Sequence, residues 1–102
     1  MPTLHTVNKS PYATNTFLSC LNHCMEGDSV LLIEDGVYGA LAGAGLSDAV
    51  KAKLGAVKIH VLNEDVMARG LDSGRFLEGI TGVDYGGFVD LVANNDRTQS
   101  WL

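Results

Sequence analysis

The chain has 102 residues, a formal net charge of −5, and a composition that is 46% hydrophobic and 19% charged. These values exclude a disordered chain, a collagen-like repeat and a disulfide-rich secreted scaffold, and the length suits a single domain spanning residues 1–102. The seven Lys and Arg residues are scattered along the sequence, so direct binding of nucleic acid is not expected.

The first third of the chain predicts two strands separated by a helix. Residues Thr3–Val7 form a short segment with β-branched side chains, which favours a strand. A helix is predicted within residues 14–26, because apolar side chains recur there at a helical spacing. Those side chains are Phe17, Leu18, Leu21 and Met25. The apolar run Val30–Ile33 is typical of a strand buried on both faces, as in a parallel sheet.

Helices and strands continue to alternate through the middle of the chain. Asp35 is predicted to cap a helix at Val37–Ala42. A further helix is predicted at Ser47–Leu54, with Ser47 as its cap. The run Val57–Leu62 is the third predicted strand.

The last third of the chain repeats this alternation. Asn63 is predicted to cap a helix that ends near Arg69. A weaker strand at Ile80–Asp84, a helix around residues 88–92 and a short strand at Thr98–Leu102 complete the order. Strands that alternate with helices predict an α/β fold, a three-layer α/β/α sandwich with a mainly parallel sheet of four or five strands.

The sequence lacks the segments expected of a secreted or membrane protein. Its first residues do not combine a basic start with a long apolar stretch, so no secretory signal is expected. The longest apolar run is Val30–Ile33, whereas a membrane-spanning helix needs about 20 residues. We therefore expect a cytoplasmic protein without a membrane partner, in which both cysteines are thiols.

The two cysteines lie on the first predicted helix. At 100° per residue, Cys20 projects about 115° from the centre of the apolar face and Cys24 about 75° from it. A thiol that points away from the core has no packing role, and His23 on the same flank would stabilise its thiolate. This projection predicts Cys20 as an exposed reactive thiol and Cys24 as a half-buried filler. The alternative is that both are incidental small apolar residues.

No metal, cofactor or disulfide is expected at these cysteines. A bridge between Cys20 and Cys24 would strain the helix that carries both. A zinc site would need two more ligands, and the sequence has no CxxC or HxxxH pair that would supply them.

Two acidic pairs, Glu34-Asp35 and Glu64-Asp65, follow predicted strands, where α/β proteins usually hold their sites. Such a cluster is typical of a receiver domain, which holds magnesium and accepts phosphate. The lone Asp and the Lys that a receiver places after its middle and last strands are missing. We therefore favour capping and first-turn roles for these acids, and keep a receiver-like binding module as the weakest alternative.

Four segments, in the same order and at the same spacing across nearly the whole chain, resemble the DsrH/TusB family. The most specific is LNED followed after two residues by ARG. The four segments are Leu4–Pro11, Glu26–Val37, Leu62–Leu71 and Asp84–Val89.

The resemblance implies a small subunit of a DsrEFH-type or TusBCD-type heterohexamer that relays persulfide sulfur between cytosolic carrier proteins. The implied partners are DsrE-like and DsrF-like paralogous subunits, in an α2β2γ2 assembly, and a DsrC/TusE-like sulfur acceptor. In the DsrE/TusD-type paralogue, the main sulfur-carrying cysteine precedes the helix that matches Glu64–Arg69. This chain has Leu62-Asn63 there. The principal carrier role therefore does not transfer to it, and the chain alone is not expected to be a complete enzyme.

Cys20 is the catalytic candidate that the family resemblance implies for this chain. Family members from sulfur-oxidising bacteria resemble this chain in having a cysteine on the first helix, and TusB members generally lack one. The resemblance therefore favours a role in sulfur oxidation, with Cys20 as a secondary sulfur carrier. Two alternatives stay open: a TusB-like subunit in the 2-thiolation of tRNA wobble uridine, and a purely structural, non-catalytic subunit.

Overall fold

The computed structural model describes residues 2–43 and 45–102, and these form one five-stranded sheet flanked by helices. The strands lie in the order β4-β3-β2-β1-β5, and every neighbouring pair is parallel. Their bounds are Thr3–Val7 for β1, Ser29–Leu32 for β2, Lys58–Leu62 for β3, Thr81–Val83 for β4 and Arg97–Trp101 for β5. The predicted α/β fold with a parallel sheet is therefore confirmed.

Four α-helices connect the strands in the described part of the chain. They are α1 at Thr16–His23, α2 at Ser47–Lys53, α3 at Asn63–Ala68 and α4 at Tyr85–Asn94. The helix predicted at Val37–Ala42 is instead a 3₁₀ helix at Glu34–Ala40, and a second 3₁₀ helix at Ser73–Arg75 was not predicted. None of the α-helices is long and apolar enough to cross a membrane, as judged over the described residues.

The predicted helix caps differ from those observed. The helices expected to be capped by Asp35, Ser47 and Asn63 begin without a side-chain cap hydrogen bond. At α3 the reason is direct: the last residue of β3 is also the residue before the helix, so Asn63 already lies inside it. Asp84 does cap α4, since its carboxylate accepts a hydrogen bond from the Gly87 N–H at 2.8 Å.

The larger hydrophobic core lies between one face of the sheet and the layer of α1, α2 and the first 3₁₀ helix. All five residues of β1 and all four of β2 are buried, as expected for central parallel strands. The 3₁₀ helix packs tightly on the end of β1, because a Cβ placed on Gly36 would collide with the Val7 carbonyl oxygen. This close approach explains why glycine occupies that position.

Candidate functional site

The predicted exposure of Cys20 is wrong, because its side chain is fully buried. The buried face of α1 consists of Phe17, Cys20 and Leu21 and continues to Cys24, at a spacing of i, i+3, i+4 and i+7. The sequence projection counted Leu18 and Met25 in the apolar face and left both cysteines out of it. Leu18 is only half-buried and Met25 is exposed beyond the end of α1, so the buried face is centred near Phe17 and Cys24 and includes Cys20.

Cys20 and Cys24 form a thiol pair in the core, with their Sγ atoms 4.0 Å apart. The hydrogen bond to Cys24, together with burial, raises the pKa of the Cys20 thiol. The hydrogen bond from Cys20 lowers the pKa of Cys24, although burial opposes this. Either sulfur can be the donor in this contact, so the two thiols ionise as a coupled pair rather than in a fixed order.

A buried carboxylate lies beside the thiol pair and ties three segments together. Asp28 accepts hydrogen bonds from the Thr3 N–H at 3.0 Å, the Met25 N–H at 3.0 Å and His5 Nε2 at 2.9 Å. Burial opposes its ionisation, but the three hydrogen bonds outweigh burial, and the pKa of Asp28 is lowered from its ordinary value. Asp28 therefore joins β1, the end of the α1 segment and the start of β2.

The His5 imidazole connects this carboxylate to the last strand. Trp101 donates its indole N–H to His5 Nδ1 at 3.0 Å. Indole nitrogen is a donor only, so Nδ1 must accept, and the proton of the ring lies on Nε2, facing Asp28. The hydrogen-bond chain Trp101–His5–Asp28 thus sets the tautomer and the orientation of the imidazole.

The fold brings His5 to the thiol pair as well. One ligand-type atom from each of His5, Cys20 and Cys24 lies within 4.8 Å of the other two, and all three residues are buried. We call these three residues the His5–thiol cluster. Sequence reasoning missed it because its members come from a strand and a helix, and only their packing makes them neighbours.

A small cavity of about 120 Å³ adjoins the His5–thiol cluster. His5, His23, Met25 and Asp28 are among its lining residues. The His23 ring lies edge-on to Trp101, with the ring centroids 5.6 Å apart. The cavity lies on the His5 and Asp28 side of the cluster, and neither cysteine is among its lining residues.

A second cavity, of about 290 Å³, lies beneath α4. Its lining residues include Lys58 and His60 of β3 and Leu91 of α4. The two ring nitrogens of His60 are buried and have no hydrogen-bond partner among the described residues. Burial lowers the pKa of His60, and the nearby charge of Lys58 lowers it further.

One aspartate from each acidic pair, Asp35 after β2 and Asp65 after β3, contacts Arg69. Arg69 donates from Nε to Asp35 at 3.0 Å and lies 3.8 Å from the carboxylate of Asp65. Asp65 also accepts the Glu34 N–H at 2.7 Å, where the Glu34 backbone has a φ of 50°. These contacts hold the first 3₁₀ helix against α3, which favours a structural role over a receiver-like magnesium site.

Comparisons with known proteins decide the family. A family model described as "DsrH like protein" matches residues 9–98. Protein TusB from Escherichia coli O81 (strain ED1a) is 37% identical over 98 residues, covering 96% of this chain and 99% of TusB. Protein TusB from Shigella flexneri matches with the same identity and coverage. The chain belongs to the DsrH family.

Solved structures share the fold of this DsrH-family chain at low sequence identity. The crystal structure of the ychN protein from E. coli superposes with a TM-score of 0.81 at 14% identity, covering 98% of this chain and 99% of ychN. The protein MTH1491 from Methanobacterium thermoautotrophicum gives a TM-score of 0.76 at 17% identity, covering 97% and 96% of the two chains. At these identities the structures support the fold alone.

Proposed function

We propose that this DsrH-family chain is the TusB-like subunit of a cytoplasmic TusBCD-type complex that relays persulfide sulfur toward the 2-thiolation of tRNA wobble uridine. The observation that carries the proposal is the 37% identity to proteins named TusB over nearly the full length of both chains. This identity favours the tRNA branch over sulfur oxidation, which the sequence resemblance had placed first on the presence of Cys20. Sulfur oxidation in a DsrEFH-type complex stays the alternative.

The exposed face of α4 supports a role as a subunit. Tyr85, Val89 and Val92 are 59%, 67% and 43% exposed, and their i, i+4, i+7 spacing places them on one side of the helix. Contiguous apolar surface of this kind marks a protein–protein interface. We propose that DsrE-like and DsrF-like paralogues, which are TusD-like and TusC-like in this branch, cover this face in an α2β2γ2 heterohexamer.

The chain supplies surface to the relay rather than its principal thiol. Leu62-Asn63 occupies the position where the DsrE/TusD-type paralogue has its carrier cysteine. Transfer of sulfur by Cys20 stays a prediction, and it requires the Cys20 thiol to become accessible. Because the thiol is fully buried and its pKa is raised, the α1 layer must open before Cys20 can attack a persulfide.

Assembly is tested by co-expressing the chain with its two paralogues and measuring the mass of the complex by sizing chromatography with light scattering. We expect one stable complex with the wild-type chain. Val89→Asp on α4 should release the chain from it, whereas the matched control Ala52→Asp, on the exposed side of α2, should not. A wild-type chain that stays a well-behaved monomer and ignores both paralogues would contradict the proposal.

The branch and the Cys20 prediction need separate measurements. Loss of the gene should abolish 2-thiolated wobble uridine in tRNA, measured by mass spectrometry of nucleosides. In the assembled complex treated with a persulfide donor, sulfur on Cys20 would appear as a gain of about 32 Da that reductant reverses. If that gain is absent and Cys20→Ser relays sulfur to a DsrC/TusE-like acceptor at the wild-type rate, the subunit is structural.

A further inference from the structure

We propose that Cys20, Cys24 and His5 bind one Zn²⁺ ion inside the α1 layer, with a water molecule from the adjoining cavity as the fourth ligand. The proposal concerns a site distinct from the assembly surface and does not rest on the sulfur-relay function. It is based on the geometry of the His5–thiol cluster, which no sequence motif predicts.

The spacing of the two thiols suits a tetrahedral zinc ion. Two thiolates bound to zinc at about 2.3 Å lie about 3.8 Å apart, and the Sγ atoms of Cys20 and Cys24 are already 4.0 Å apart. Residues separated by four positions on a helix are a known metal-chelating pair, because their side chains lie on one face. The ligand atom of His5 lies within 4.8 Å of both sulfurs, so small side-chain movements complete the set.

The surroundings of His5 already provide the outer contact that zinc-bound histidines use. Such a histidine donates its second ring N–H to a carboxylate, which fixes the ring and increases its basicity as a ligand. His5 donates in this way to the buried carboxylate of Asp28 at 2.9 Å. The other ring nitrogen accepts from Trp101, and this neutral hydrogen bond is weaker than the charge-assisted one to Asp28. Zn²⁺ is therefore expected to replace the indole N–H as the partner of His5.

The charges of such a site cancel in the core. Zn²⁺ combines with two thiolates and one uncharged imidazole to give no net charge, which suits a position where Cys20 is fully buried. The reaction is Zn²⁺ plus two thiols giving a zinc dithiolate and two protons, with no change in oxidation state. The cavity of about 120 Å³ is lined by His5 and by neither cysteine, so the proposed water ligand reaches the ion from the His5 side.

The test uses the full chain, reduced and stripped of metal by chelation, and titrates it with Zn²⁺ against a chromogenic chelator and with Co²⁺ alone. We expect one ion per chain, release of about two protons for each Zn²⁺, and an intense near-ultraviolet thiolate-to-cobalt absorption band. Absence of one-to-one binding, or bound Co²⁺ without the thiolate band, would overturn the proposal.

Three variants test the proposed site, and each is checked for folding by circular dichroism. Cys24→Ser should weaken Zn²⁺ binding by roughly 100-fold or more, beyond the loss typical of an outer-shell partner. The matched control His23→Gln, which changes a cavity-lining residue outside the ligand set, should bind like the wild type. A loss of affinity in His23→Gln equal to that in Cys24→Ser would contradict the ligand assignment.

Trp101→Phe keeps the proposed ligands and an aromatic ring, and it removes the competing indole N–H together with part of the ring. It should tighten Zn²⁺ binding by roughly 2- to 10-fold, the equivalent of one neutral hydrogen bond. Weaker binding in this variant would overturn the proposed exchange at His5, even if Cys24→Ser does not fold. Failure of every zinc measurement would leave assembly with the paralogues unaffected, so the two proposals can fail independently.

Discussion

The α1 layer and the α4 segment lie against the same sheet but differ in how much of their apolar surface is buried. In the α1 layer, the helix buries Phe17, Cys20 and Leu21 against strands whose residues are all buried. The α4 helix has no fully buried residue, and β4 and β5 have none either. The chain therefore forms its own core on one side and presents an incomplete surface on the other, which is what a subunit requires.

Polar groups distinguish the two regions as clearly as apolar ones. Under α1, the Asp28 carboxylate and both ring nitrogens of His5 have hydrogen-bond partners. Under α4, the His60 ring nitrogens are buried without a partner among the described residues. Buried polar groups that are fully paired rigidify a structure, whereas unpaired ones weaken it.

The first comparison truncates one apolar side chain on each helix. Leu21→Ala should reduce the free energy of unfolding by about 2–5 kcal/mol, because Leu21 is 1% exposed and its removal leaves a cavity. Val89→Ala on α4 should change it by less than about 0.5 kcal/mol, since the side chain faces solvent. Urea denaturation followed by circular dichroism measures both values. Equal losses would mean that the chain buries α4 as deeply as α1.

Removal of the buried carboxylate is the second comparison. Asp28→Ala should cost about 3 kcal/mol of stability, because the Thr3 and Met25 N–H groups and His5 lose their acceptor. Asp90→Ala, at an exposed position on α4, is the matched control and should be close to neutral. A mutant at position 28 as stable as this control would show that the network contributes little to folding.

A third comparison adds a single methyl group in a tight place and in an open one. Gly36→Ala should cost about 1–3 kcal/mol, because its Cβ would meet the Val7 carbonyl oxygen and force the 3₁₀ helix away from β1. Gly55→Ala has no atom within 4 Å of its Cβ and should be tolerated. Thermal unfolding of the two variants provides the difference, and a tolerated Gly36→Ala would contradict the close packing.

A weak pH dependence of the stability is expected from His60, which lies under α4. Since the pKa of His60 is lowered in the fold, the unfolded chain binds a proton there at a higher pH than the folded chain. The contribution of His60 to stability is therefore present above about pH 6.5 and is lost as the pH falls through its lowered value. His60→Gln should flatten the stability profile below pH 6.5 in urea titrations. An unchanged slope would exclude His60 as its source.

Local patterns were sufficient for the five strands and four α-helices of the described residues, but not for the two 3₁₀ helices. The apolar run after Ser29 predicted a buried parallel strand, and the helical spacing around Phe17 predicted α1, because each pattern depends on residues close together in sequence. The same reasoning failed for Cys20. Burial decides which side chains form the packed face of α1: Leu18 is half-buried and Met25 is exposed, whereas both cysteines are buried. The sheet that buries them is assembled from segments distant in sequence.

Residues close together in sequence were enough to predict the alternation of strands and helices, the family resemblance and the absence of a thiol at Leu62-Asn63. The hydrogen-bonded chain Trp101–His5–Asp28, with Cys20 and Cys24 beside it, is visible only in the folded structure. The physical reason is separation along the chain: Trp101 and His5 meet because β5 pairs with β1 across 96 positions. Contacts of that range follow from strand order and burial, which no local pattern encodes.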